Sequence, residues 1–148
     1  MNQDKMHLIN KMFNNETIRT VWDKEEEKYF ISVVDVVGVL SGSDRPRKYW
    51  SDLKSKLKQE GNEVSEKIGQ LKLKSQDGKY RLTDVCVIEE MFRIIESIPS
   101  KNAEPIKQWL ASLGRSRRYL VKELGEHVVT NNNALNYEYV DKKMIEKK

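Results

Sequence analysis

The stretch that most restricts what this chain can become is residues 28–57, KYFISVVDVVGVLSGSDRPRKYWSDLKSKL, which encodes a strand, two helices and the joint between them. Tyr29, Phe30 and Ile31 are aromatic or β-branched and predict a strand. Ser32 follows as a helix N-cap, with Asp35 three residues on as a short-armed capping-box partner. Val33, Val34, Val36, Val37, Val39 and Leu40 form too continuous an apolar run for a surface helix, so this helix is expected in the core. Gly42 stops it. Ser43 or Asp44 is expected to cap the next helix, with Pro46 in a first turn where its missing N–H costs nothing.

That next helix, expected over 45–60, carries the functional signal. At 100° per residue, Tyr49, Trp50, Leu53 and Leu57 fall on one side. The other arc collects Arg47, Lys48, Ser51, Lys54, Ser55 and Lys58, with Asp52 at its edge. Residues 45–58 hold six Lys or Arg against one carboxylate. Such a face suits phosphate oxygens: serines add donors and an arginine binds in bidentate fashion. The plain alternative is a solvated helix face, which explains most charge runs, but clustering of one sign favours a nucleic-acid partner.

The chain has 148 residues and a net charge of +4, so composition alone says little about an anionic partner. Distribution says more, with acid at 23–27 and base at 45–58, 115–122 and the C-terminal lysines. Cys86 is the single cysteine; no internal disulfide is possible, in keeping with a reducing cytosol, and a buried inert thiol within a helix is expected. The first residues have no signal-peptide pattern and no apolar run spans a membrane, so a soluble, cytoplasmic protein is the expectation.

Residues 1–16 are expected to form an N-terminal arm, frayed or docked as a short helix. Residues 17–22 alternate as a strand, and with 28–31 they make a hairpin around the acidic turn. Residues 62–69 look like a loop. A second hairpin follows, 70–74 and 79–82, with Asp77-Gly78 at its tip and Lys72, Lys74, Lys79 and Arg81 making it basic. An ordinary edge strand also uses lysines to deter aggregation. Thr83 is expected to cap a third helix over 84–97, and Asn102 a fourth, with Pro105 in its first turn and Gly114 at its end. The tail, 115–148, begins with Arg115, Arg117 and Arg118; a further helix to about residue 126 is expected, then an Asn131–133 loop, a short strand or docking segment at 137–140 and eight disordered residues.

The two hairpins echo each other. Lys28-Tyr29-Phe30-Ile31-Ser32 resembles Lys79-Tyr80-Arg81-Leu82-Thr83, and each half has a helix with proline in its first turn and tryptophan four residues later, Pro46 and Trp50 or Pro105 and Trp109. The expected fold is therefore α+β, two hairpin–helix–helix halves (ββαα–ββαα) whose strands share a small antiparallel sheet with helices packed on it. A basic hairpin beside a basic helix makes this a winged-type DNA-binding module. The tryptophans are expected in the core.

With these residues in place, the chain resembles the Bro family N-terminal domain of bacteriophage antirepressors and baculovirus repeated-ORF proteins. The resemblance is carried by IRTVWD at 18–23, FISVVDVV at 30–37, PRKYW at 46–50, LKSKL at 53–57, DGKYRLTDV at 77–85, SIPSKNAEP at 97–105 and Trp109-Leu110. It spans residues 17–114 and implies a DNA-binding module of a phage or prophage transcriptional regulator.

No enzyme is expected. The two histidines, His7 and His127, lie outside 17–114, and neither a phosphate-binding glycine loop nor a metal-ligand set is present. Asp35 and Asp84, at matching places in the halves, are expected to be helix-start carboxylates and not a catalytic pair. No cofactor is implied. The expected nucleic-acid contacts are Arg45, Arg47, Lys48, Ser51, Lys54 and Lys58 on the helix, Lys72, Lys74, Lys79 and Arg81 on the hairpin, and Arg115, Arg117 and Arg118 in the tail, all toward duplex DNA. The alternative partner is a repressor protein sequestered without DNA contact, through Tyr119, Leu120, Leu124, Tyr137 and Tyr139. A third reading is a homo-oligomeric scaffold with an incidental basic face.

Overall fold

The computed structural model describes residues 6–13, 15–61, 63–123 and 137–140, with 6–9, 65, 115–123 and 137–140 described by backbone alone. Strands β1 (Met6–Ile9), β2 (Lys11–Phe13), β3 (Glu16–Ile18), β4 (Thr20–Asp23) and β5 (Lys28–Ser32) come first. Helices α1 (Val33–Ser41) and α2 (Pro46–Gln59) follow, then a 3-10 turn, Glu63–Lys67. Strands β6 (Gly69–Lys74) and β7 (Tyr80–Cys86), helices α3 (Ile88–Glu96) and α4 (Ala103–Glu123), and strand β8 (Tyr137–Val140) complete the order. The fold is α+β.

One antiparallel sheet has the order β6-β7-β5-β4-β1-β8, and β2 pairs with β3 in a separate hairpin. The two expected hairpins do share this sheet, joined where Ile31 meets Cys86 and Ser32 meets Val85. Residues 6–13 are strands, not a helix or a frayed arm: β1 has β4 on one side and β8 on the other. His7 thereby sits in the sheet, opposite Trp22 and Tyr139.

The main core lies between the helices and the sheet face bearing Trp22, Tyr29, Ile31 and Cys86. Those side chains share a face because strand residues alternate and the register pairs Trp22 with Tyr29 and Ile31 with Cys86. Helix α1 adds Val33, Val36, Val37, Val39 and Leu40; α3 and α4 add Met91, Ile94, Ile95, Ile106, Leu110 and Leu113. The opposite face buries Val21, Leu71, Leu73 and Val85, with Phe30 packed against them. The sheet is curled: Arg19, just ahead of β4, donates from Nη1 to the Lys74 carbonyl of β6, 3.1 Å away, although a flat sheet puts those strands roughly 14 Å apart.

The residues 28–57 largely build what they encode. Ser32 Oγ accepts from the Asp35 N–H, and Gly42 ends α1 in the left-handed region at φ 69°. The other half of the capping box does not form, because Asp35 is taken by Arg19. Both Asp35 oxygens accept from the Arg19 guanidinium, at 2.7 and 3.0 Å, and Oδ2 also accepts from the Arg19 backbone N–H. Arg19 interrupts the expected continuous strand into β3 and β4. Both partners of this ion pair are mostly buried, and removing one member of such a pair costs about 3–5 kcal/mol because the other is stranded. Helix α2 begins with Arg45 as N-cap and no side-chain cap; Ser43 Oγ instead accepts from the Arg45 N–H.

Three expectations about the second half are overturned. Thr83 does not cap a helix and Asp84 does not start one, because β7 continues to Cys86 and α3 begins at Ile88 after an N-cap at Val87. Pairing of Val85 and Cys86 with β5 outweighs the local capping signal, so the chemical echo between Ser32 and Thr83 fails. Cys86 lies at a strand end and not in a helix; burial, together with the nearby Glu90 charge, pushes its thiol up, leaving it inert as expected. Nor does Gly114 end α4, which runs on to Glu123 and absorbs the start of the expected tail helix. The expected loop at 62–69 contains the 3-10 turn, whose Val64 is fully buried. Leu124, His127, the Asn131–133 loop and residues 141–148 lie outside the described residues.

Candidate nucleic-acid interface

Helix α2 is half core and half cation. Trp50, Leu53 and Leu57 are buried with Tyr49 beside them, while Arg47, Lys48, Ser51 and Lys58 are exposed. Arg47, Ser51, Lys54 and Lys58 recur at intervals of four, three and four, which keeps them within roughly 60° on one stripe along the flank of the buried side. Arg45 is exposed at the N-cap.

The β6–β7 hairpin is fastened to that flank through one carboxylate. Asp84 accepts from Trp50 Nε1 at 2.8 Å, Lys54 Nζ at 3.0 Å and Gln70 Nε2 at 2.9 Å. Burial pushes its carboxyl up, but the bonds from Gln70, Trp50 and Lys54 and the Lys54 charge outweigh that and hold it below the usual aspartate range. The geometry explains why a strand carries an aspartate here: three donors from two elements converge on it.

The hairpin's register then decides which of its basic residues join α2. Leu71 pairs with Thr83, Lys72 with Leu82 and Lys74 with Tyr80, so Gln70, Lys72, Lys74, Tyr80, Leu82 and Asp84 share a face. Asp84 and Gln70 on that face bond to α2 or to each other, and Lys72 and Lys74 follow on the same face, farther along the hairpin from Asp84. Arg81 has the opposite parity, and its guanidinium is occupied by Asp77 at 2.8 Å. Arg81 and the Lys79 N–H bond to Asp77 and lower its pKa to about 2. Lys79 is exposed at the hairpin tip.

The expected set is thus sorted by structure. Arg47, Ser51, Lys54 and Lys58 share a stripe on α2, and Lys72 and Lys74 share the hairpin face of Asp84, through which Lys54 joins the two elements. Lys54 is committed to Asp84, with its side chain 41% exposed. Lys48 pairs with Asp52 across one helical turn in a well-exposed contact of the kind worth little. Among the described residues no carboxylate pairs with Arg47 or Lys58. Arg115, Arg117, Arg118, Tyr119 and Leu120 fall on the C-terminal half of α4, and Tyr137 and Tyr139 fall on β8, beside β1.

Two polar arrangements escaped the sequence reading. The Arg19–Asp35 pair joins residues 16 apart and had no local signal. The Asp84 anchor was hidden because Thr83-Asp84 before an apolar run resembles a helix start. Its one clue is the four-residue spacing of Trp50 and Lys54, about one helical turn, which places an indole N–H and an ammonium side by side. No helix among the described residues is long and apolar enough to cross a membrane. Comparisons with protein-family models, with curated proteins and with solved structures find no match.

Proposed function

We propose that the chain is the DNA-binding module of an antirepressor-type transcriptional regulator of phage or prophage kind, gripping duplex DNA through the cationic stripe of α2 with the β6–β7 hairpin as a wing. The observation that carries this reading is the alignment of Arg47, Ser51, Lys54 and Lys58 on one stripe, held by the Asp84 anchor against the hairpin face that bears Lys72 and Lys74. A helix and a two-stranded ribbon held side by side, both cationic, match the backbone of a duplex in charge and in donor chemistry. The resemblance of residues 17–114 to the Bro N-terminal domain supports the same reading.

The test is fluorescence anisotropy with a generic duplex. Four or five phosphate contacts make affinity fall on the order of 10²-fold between about 50 and 200 mM salt. Arg47→Glu with Lys58→Glu is expected to abolish binding while the thermal midpoint stays put, since both side chains are exposed. Lys54→Glu is the wrong probe, because it sets a second carboxylate against Asp84 and attacks the fold. Absence of binding at low salt overturns the proposal, and capture of a repressor protein by the same chain then becomes the reading to test.

A further inference from the structure

We infer that Leu82 is an apolar wedge that enters the minor groove of the bound duplex and bends it, an inference that rests on the DNA-binding reading above. Leu82 and Met12 are the large apolar side chains left exposed among the described residues, Leu82 at 54%. A lone exposed leucine is ordinary on a protein surface. This one is distinguished by its neighbours.

Leu82 stands on the hairpin face shared with α2, two residues from the Asp84 anchor and so roughly 7 Å along the strand from it. Directly across the hairpin is Lys72, and the next pair outward is Lys74 with Tyr80. The side chain thus projects from a rigid two-stranded ribbon with lysines beside it. If a duplex lies along Arg47 and Lys58, Lys72 and Lys74, both on β6, meet phosphates beside Leu82, and Leu82 is carried toward the bases. A wedge needs those three properties: an apolar tip, a stiff support and neighbouring cations that hold the backbone while a base step unstacks. Charge complementarity therefore selects a nucleic acid as the occupant.

Unstacking is easiest at flexible pyrimidine–purine steps, so the wedge also supplies a sequence preference without any base-edge hydrogen bond. A duplex with a central TA step is expected to bind more tightly than one with a stiff A-tract.

The experiment uses the full chain and duplexes labelled at both ends, reading anisotropy for binding and energy transfer for bending. The wild-type chain is expected to raise energy transfer on a TA-centred duplex. Leu82→Ala is expected to bind about tenfold more weakly, with energy transfer at the free-duplex level and the salt dependence unchanged. Leu82→Phe keeps a wedge and is expected to keep the bend, and circular dichroism melts should show both variants folded. Wild-type binding without bending, or a Leu82→Ala complex as bent as wild type, overturns the wedge and leaves the DNA-binding reading standing. Failure of the wild-type chain to bind overturns both.

Discussion

Asp84 shows how much one carboxylate can organise. It takes an indole N–H, an ammonium and an amide N–H, and in doing so ties α2 to the β6–β7 hairpin. Its carboxyl is held below the ordinary aspartate value, and the consequence for stability has a definite sign. The folded state binds that proton less readily than the unfolded chain. The contribution is therefore complete above the unfolded value and disappears as pH falls through the lower folded one. Asp84→Asn keeps an acceptor for Trp50 but removes the charge facing Lys54. It is expected to cost about 1–2 kcal/mol at neutral pH, the size of a charge-assisted bond. Urea midpoints at neutral pH and at about pH 3 provide the check: the gap between wild type and variant narrows in acid. A gap of constant size would mean that Asp84 does not hold a depressed pKa in the folded state. Arg19 plays a matching role nearby, where its guanidinium joins Asp35, Ser32 and the Lys74 carbonyl of β6.

Among the elements, the helix ends divide cleanly by mechanism. Where the signal is covalent or torsional, it was legible. Gly42 adopts the positive φ that other residues resist, and Pro46 takes the first turn of α2. Where the signal is a preference, packing overrode it. Gly114 was expected to stop α4, yet Ile106, Leu110 and Leu113 are buried on one side of that helix and the backbone continues to Glu123. Gly114 does not have positive φ, is exposed, and a Cβ built there would meet nothing within 4 Å. Gly114→Ala is thus expected to stabilise the chain by about 0.5–1 kcal/mol, the helix-propensity difference, seen as a higher urea midpoint with unchanged m-value. A helix that ended at Gly114 in the left-handed region would respond with the opposite sign. Thr83-Asp84 failed for the related reason that capping is local while the β5–β7 ladder joins residues more than fifty apart in sequence.

At the scale of the molecule, the part of the fold legible in advance was what near neighbours decide: two hairpins, the α1–α2 pair and the cationic side of α2. The parts not legible were closures between distant segments. β1 pairs with β8, bringing Met6 opposite Val140; a short strand at 137–140 was expected, but nothing in either segment names its partner. The curl that brings Arg19 to Lys74 likewise follows from the whole sheet. This architecture makes deletion of residues 115–148 informative. The cut falls after Leu113, the last core residue of α4 among the described residues, so the buried side chains of the main core and of the α2–hairpin surface that the structure describes are all retained. It removes β8, however, and leaves the outer edge of β1 without its strand partner. An unpaired edge recruits other strands. The shortened chain is therefore expected to fold, to bind duplex DNA within a few-fold of the full chain at low salt, and to self-associate with rising concentration. Anisotropy and light scattering on the same samples test both halves of this. Were DNA binding lost in a chain that still melts cooperatively, the interface would lie in the removed segment, with Arg115, Arg117 and Arg118 its first candidates and the stripe on α2 a solvated helix face.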